Sequence, residues 1–205
     1  MAYKVIAIAR ALSAGGESIG RTLAGEFGMR YVDSEIIDRA AALAGVTERE
    51  IAQAESRKGL IERIFESFAS AGAGAGAPTA ESISQVPGYE KVIIDVIRQT
   101  AAEGNVVIVA HGAAIALAGM ADVLRIFVTA SAETRVSRLT ELGRGKTTAL
   151  KLVEDSDNDR ADFLNRFYQV EQELPTHYDL VINTDNLNAD DAAAMVRVIV
   201  NRVRR

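Results

Sequence analysis

Between Ala11 and Ser18 the chain reads ALSAGGES, two glycines followed by an acid and a hydroxyl. Gly15 and Gly16 allow backbone N–H groups to approach an anion closely, and a helix starting there adds unpaired donors and a partial positive charge. That is the chemistry of a phosphate cradle. The pattern G-x-x-x-x-G-K-[ST] is met in part. Ala11 stands at its first glycine, Gly16 at its second, Ser18 at the hydroxyl position that would hold Mg²⁺, and Glu17 where the lysine belongs. An acid there cannot neutralise a nucleotide phosphate, so these residues alone fit either a cradle or a glycine-rich strand-to-helix turn with no ligand. Asp33 is a second candidate. It leaves a short run, Tyr31-Val32, at the carboxyl end of what would be a parallel strand, where open α/β sheets bind ligands. From there it reaches Mg²⁺ or an acceptor hydroxyl, or it caps the following helix. Farther on, Arg135 and Arg138 are spaced to share one helix face, and so are Asp157 and Arg160.

The elements that must position these groups follow from hydrophobic periodicity. Val5-Ile6-Ala7-Ile8 reads as a strand buried on both faces. Residues 30–33, 106–110, 123–128 and 178–184 read as four more strands. Between them, Ile19, Leu23 and Phe27 lie on one face of a first helix. Helical patterns also cover 35–44, a stretch from Thr47 with capping-box spacing to Glu50, then 58–68, 88–102 and 150–173. The turn at 129–131 leads into a helix carrying Glu133, Arg135 and Arg138, and 188–205 closes the chain with Ala192, Met195, Val196, Val198 and Ile199 inward. Residues 70–80, SAGAGAGAPTA, have almost nothing to bury and read as a flexible loop. Strands alternating with helices, joined by long crossovers, make a three-layer α/β/α domain with a five-stranded parallel sheet.

Composition narrows the function classes. The 205 residues suffice for one α/β domain, and a net charge of −5 argues against a nucleic-acid binder held by phosphate contacts. There is no cysteine, so disulfide and thiolate chemistry are excluded, and His111 and His177 are too few for a multi-histidine metal site. No apolar run approaches the ~20 residues of a membrane span, and the N-terminal stretch meets a charge too early for a signal peptide. A cytoplasmic protein is expected. Gly145-Lys146-Thr147 imitates the end of a phosphate-loop motif but has no strand before it. Asp155-x-Asp157-x-Asp159 imitates a calcium loop but has Arg160 in place of the turn glycine.

The run R-x-x-x-x-G-G-E-x-I-G-R-x-L-A (Arg10, Gly15, Gly16, Glu17, Ile19, Gly20, Arg21, Leu23, Ala24) is followed by G-x-x-Y-x-D-x-E-I (Gly28, Tyr31, Asp33, Glu35, Ile36). Together they resemble the cytidylate kinase-like proteins of the P-loop nucleoside monophosphate kinase group, a family that commonly lacks the lysine, and the resemblance continues to near Thr184. It implies a single P-loop kinase-like domain over 1–205, with a monophosphate-binding insertion at about 45–88 and a lid at about 143–172. ATP and Mg²⁺ are the implied cofactors, and the implied activity is phosphoryl transfer to CMP, dCMP or another small acceptor. By the same resemblance Gly15, Gly16, Glu17, Ser18 and Ile19 cradle the donor phosphates, and Ser18 and Asp33 face the metal. Arg135, Arg138 and Arg160 supply catalytic cations, with Arg10 or Arg21 making up for the lysine, and Asp33, His111, Asp157 and Arg160 meet the acceptor. The partner is then a nucleotide or small molecule, not nucleic acid or a membrane; a homodimer is compatible with it. Three positions depart from the family pattern. Ala110-His111-Gly112-Ala113 stands where Gly-Arg-Gly-Ala is expected, and Val153 stands where an arginine precedes Asp157 by four. The acceptor site is thereby short of positive charge, so a nucleotide-binding regulatory protein without transfer activity is the second expectation.

Overall fold

Strand β1, Val5–Arg10, is buried at all six positions because helices cover both faces of the sheet around it. The computed structural model describes residues 3–33, 36, 89–109 and 112–203. The helices expected between 35 and 68, the loop 70–80, the insertion and His111 lie outside the described residues. β1 extends past the predicted Ile8, so Arg10 begins inside the sheet. It is followed by α1 (Gly16–Phe27), β2 (Arg30–Val32), α2 (Tyr89–Glu103), β3 (Val106–Val109), α3 (Ala113–Ala116) and β4 (Val123–Thr129). Then come α4 (Ala132–Glu141), α5 (Lys146–Tyr168), a 3₁₀ turn Pro175–His177, β5 (Leu180–Asn183) and α6 (Ala189–Val203).

The sheet is parallel throughout, in the order β2-β3-β1-β4-β5, which is the expected five-stranded arrangement. Val5 pairs with Val106 on one side and Val123 on the other. Alternation along each strand divides the core into two layers. Ile6, Ile8, Val107, Val109 and Ile126 pack under α1 and α6, against Ile19, Leu23 and Val196. Ala7, Ala9, Val106 and Ile108 pack on the other face under α2, α3 and the last turns of α5, against Ile97, Leu117 and Phe167. A third small cluster joins Leu12, after β1, to Val136 and Leu139 of α4 and Ala149 and Val153 of α5. Gly28, left-handed at φ 62, ends α1, and Met29 N–H closes the cap on Ala24 O at 2.9 Å.

Two expectations change. The helix read over 150–173 starts earlier and ends at Tyr168, where Gln169 turns left-handed at φ 57. Glu173 therefore belongs to the following loop. On α6 the buried stripe is Ala192, Ala193, Val196 and Val200, and Met195 and Val198 are 44% and 53% exposed. At 100° per residue those two fall off the stripe, apolar though they are. Among the described residues, no helix is long and apolar enough to cross a membrane.

Candidate functional site

The chain leaving β1 goes to the α1 face of the sheet, and the chain leaving β3 goes to the α3 face. Their parting opens a crevice at the carboxyl ends of the central strands. Residues 11–15 run from β1 to α1 at that end of the sheet. Ala11 N–H is tied to Val128 O at 2.9 Å and Ala14 N–H to Ala11 O at 3.1 Å. Ser13 and Gly15 are left-handed, at φ 57 and 89, and fold the loop into a nest at the start of α1. The first turn of a helix leaves the N–H groups of Gly16, Glu17 and Ser18 without intrahelical acceptors. Ile19 differs from the others of its set: its N–H goes to Gly15 O at 3.1 Å and its side chain is fully buried. The donors thus narrow to residues 15–18, with the Ser18 side chain exposed at the mouth.

Glu17 is not a bare acid. Its Oε1 lies 2.6 Å from Nε of Arg10, whose side chain is only 1% exposed. The stem of Arg10 runs beneath Gly16, so close that a Cβ on Gly16 would sit 2.7 Å from Arg10 Cβ. The acid at the lysine position is thus balanced by a cation from the preceding strand. Burial pushes the Arg10 pKa down, while Glu17 and Asp33 pull it up.

Asp33 follows β2 and is half-buried. Tyr31 Oη donates to its Oδ2 at 3.3 Å, and the Arg21 guanidinium stands 4.3 Å over the Tyr31 ring. Burial raises the Asp33 carboxyl above its ordinary range, against the opposing pull of Arg10, the Tyr31 hydrogen bond and Arg21. Among the described residues no group of three or more His, Cys, Asp or Glu side chains gathers as a metal site.

A cleft of about 200 Å³ lies between the end of β4 and α5, with Phe127, Thr129, Arg135, Asp157, Arg160 and Glu173 in its wall. Two guanidinium forks line it. Arg135, 5% exposed, donates from Nε to Ala130 O at 3.1 Å and bidentately to Asp157 at 2.8 and 2.6 Å. Arg160 donates bidentately to Glu173 at 2.8 and 2.5 Å, reaches Arg10 O at 3.2 Å, and lies 5.1 Å over the Phe127 ring. Tyr178 Oη donates to Glu173 Oε1 as well. Burial raises the Glu173 pKa, but Arg160 and Tyr178 outweigh it and hold the carboxyl below the usual range. Asp157 and Arg160 therefore share the cleft without pairing to each other. Their surroundings differ: the Asp157 side chain is 46% exposed and that of Glu173 only 20%.

Arg138 lies elsewhere. Its Nη1 reaches Ser13 O at 3.1 Å and Thr184 Oγ1 at 3.0 Å, and its Nη2 reaches Thr184 O at 2.6 Å. These partners lie at the phosphate loop and the end of β5. Glu173 and Thr184 were not singled out from the sequence. The available hint for Glu173 was Pro175, which disfavours helix for Leu174 and so marks a helix end at or before it.

Residues 5–186 match the profile of the cytidylate kinase-like family. The cytidylate kinase of Paramagnetospirillum magneticum (strain ATCC 700264 / AMB-1) is 28% identical over 211 aligned positions, spanning 98% of this chain and 99% of that protein. Among solved structures, a protein of Eubacterium ventriosum ATCC 27560 superposes with a TM-score of 0.67 at 18% identity, over 96% of this chain and 98% of that one. Shikimate kinase from Bacteroides thetaiotaomicron superposes with a TM-score of 0.53 at 14% identity, over the same shares. At such identities the likeness speaks for the fold alone.

Proposed function

Because the chain belongs to the cytidylate kinase-like family, we propose that it transfers a phosphoryl group from ATP to a nucleoside monophosphate, with CMP or dCMP as acceptor. The observation that carries this reading is the amide nest at residues 15–18 beside a cleft walled by the Arg135 and Arg160 forks. Phosphoryl transfer asks little covalent chemistry of a protein; it asks for positioning and for charge to meet the phosphoryl oxygens. The N–H groups of Gly15, Gly16, Glu17 and Ser18 hold the donor phosphates. Arg135 faces the transferring group, and Asp157 and Arg160 orient the acceptor. The Ser18 hydroxyl and the Asp33 carboxylate are hard oxygen donors that suit Mg²⁺, which would neutralise charge on the donor phosphates when bound.

Asp33 must be ionised to serve the metal or the acceptor hydroxyl. Its raised pKa means that kcat/KM falls on acidification at a higher pH than an ordinary aspartate would impose. Tyr31→Phe removes a hydrogen bond that favours the carboxylate, so the acidic limb moves higher still. A pH–rate profile of the two proteins checks this; an unmoved limb assigns it to another group.

One observation favours the second reading, a nucleotide-binding regulatory protein. Carboxylates already occupy the forks of both Arg135 and Arg160. ADP release from ATP and Mg²⁺, measured against a panel of nucleoside monophosphates and small alcohols, separates the two. Turnover with one acceptor, reduced about 100-fold or more in Ser18→Ala and Arg135→Ala, establishes the kinase. Saturable ATP binding without turnover for any acceptor establishes the binder.

A further inference from the structure

The backbone of the phosphate loop has two sides, and its carbonyl side is spoken for. Arg138 takes Ser13 O at 3.1 Å, and Thr184 Oγ1 approaches Ala14 O at 2.8 Å and Thr129 O at 3.2 Å. A hydroxyl has one proton, and the shorter approach assigns it to Ala14 O, while its lone pair accepts from Arg138 Nη1 at 3.0 Å. Thr184 is itself fixed: it is 2% exposed, its N–H is bound to Thr129 O at 2.8 Å, and its carbonyl accepts from Arg138 Nη2 at 2.6 Å. The peptide joining Ala14 to Gly15 is planar and trans, so a carbonyl held toward Thr184 at Ala14 aims the Gly15 N–H the opposite way, off the β5 side. Arg138 holds the neighbouring carbonyl of Ser13, a residue kept at φ 57, where a side chain is disfavoured.

We propose that Arg138 and Thr184 are positioning residues for the phosphate loop, bracing its carbonyls from the β5 side so that its N–H groups converge on the donor phosphates. The assignment rests on the phosphoryl-transfer reading above and differs from the catalytic contact expected of Arg138. A direct contact acts on one phosphate or on the reacting group. A brace acts on every ligand that uses the nest, and through the loop.

The test uses Thr184→Val, which removes the hydroxyl at nearly constant volume, with Arg138→Ala and Arg138→Lys. Calorimetry reads ADP and ATP affinity, steady-state kinetics read kcat, and NMR hydrogen exchange reads the Ala14 amide in the nucleotide-free protein. Thr184→Val is expected to weaken ADP and ATP by the same factor, about tenfold each, with kcat at saturation kept within about twofold. Arg138→Ala should do likewise, Arg138→Lys should recover part of the loss, and the Ala14 amide should exchange faster in both Thr184→Val and Arg138→Ala. Loss of kcat in Arg138→Ala with ADP affinity intact overturns the proposal in favour of direct contact. Unchanged affinities and unchanged Ala14 exchange in Thr184→Val overturn it as well. Should the parent bind neither nucleotide, the phosphoryl-transfer reading fails and the functional part of the proposal with it. The exchange arm distinguishes that outcome, because it reports the brace without any ligand.

Discussion

Alanine at Gly16 is expected to lower kcat/KM by about 100-fold, the usual effect of displacing catalytic geometry by an ångström. The new Cβ would lie 2.7 Å from Cβ, 3.3 Å from Cγ and 3.0 Å from Cδ of Arg10. Cβ is the fixed root of the Arg10 side chain, set in the central strand, so it cannot swing aside as a side-chain tip would. Either the first turn of α1 lifts or the Arg10 stem is pushed off its path, and the 2.6 Å pair with Glu17 breaks in both cases. The stability cost should stay near 1–3 kcal/mol, as for other overpacked sites. Loss of activity far beyond loss of fold is thus the expected signature. Gly25→Ala is the control. It lies on the exposed side of the same helix with nothing within 4 Å of its would-be Cβ, and it should leave activity unchanged while adding about 0.5–1 kcal/mol of stability. Steady-state kinetics and thermal melts on the two variants decide the matter. Equal activities would mean that the seat of Arg10 under α1 has no bearing on catalysis.

Gly112→Ala should be the more damaging change to stability, at about 3 kcal/mol, or a melting temperature lower by roughly 6–12 °C. Two costs combine there. Gly112 is left-handed at φ 67, just ahead of α3, and a Cβ on it would fall 2.4 Å from Cε2 and 2.9 Å from Cζ of Tyr168. That ring closes α5, meets Phe163 edge-on at 5.9 Å, and carries a phenol whose pKa burial pushes up. Unseating it loosens the last turn of the helix that also carries Asp157 and Arg160. Truncating the obstacle in Tyr168→Ala should therefore make Gly112→Ala markedly less costly, a coupling that a double-mutant cycle reads directly. Strict additivity would show that the contact is not what sets the cost.

Strand positions and the nest were legible in the sequence because their signals are local: uninterrupted apolar runs, and glycines ahead of a helical pattern. Pairings across the fold were not. Arg10 and Glu17 are joined over a loop whose two left-handed residues bring them together, and no helical or strand spacing relates them. The partner of Arg160 was obscured for a different reason. A polar stretch with helix-forming residues reads as helix through Glu173, yet the chain turns at Gln169, which places Glu173 opposite Arg160. Arg138 was singled out as a candidate, but which atoms its guanidinium meets depends on where β5 ends, one strand over from β1 across β4, a fact of sheet order. Met195 and Val198 show the limit of hydropathy: apolar character said inward, and helix phase says outward.

The strand order has a consequence for how the chain is made. β1 is synthesised first, but both of its neighbours, starting at Val106 and Val123, come about a hundred residues later. At ~5–20 residues per second, its apolar run waits roughly 5–25 s for a hydrogen-bonding partner. During that interval Val5 to Ile8 is an unpaired apolar edge whose nearest charges are the flanking Lys4 and Arg10. The phosphate loop can take its shape only once Val128 and Thr184 have arrived to hold it. Ligand binding is therefore among the last properties the nascent protein acquires, and its N-terminal segment is the natural client for a chaperone until then.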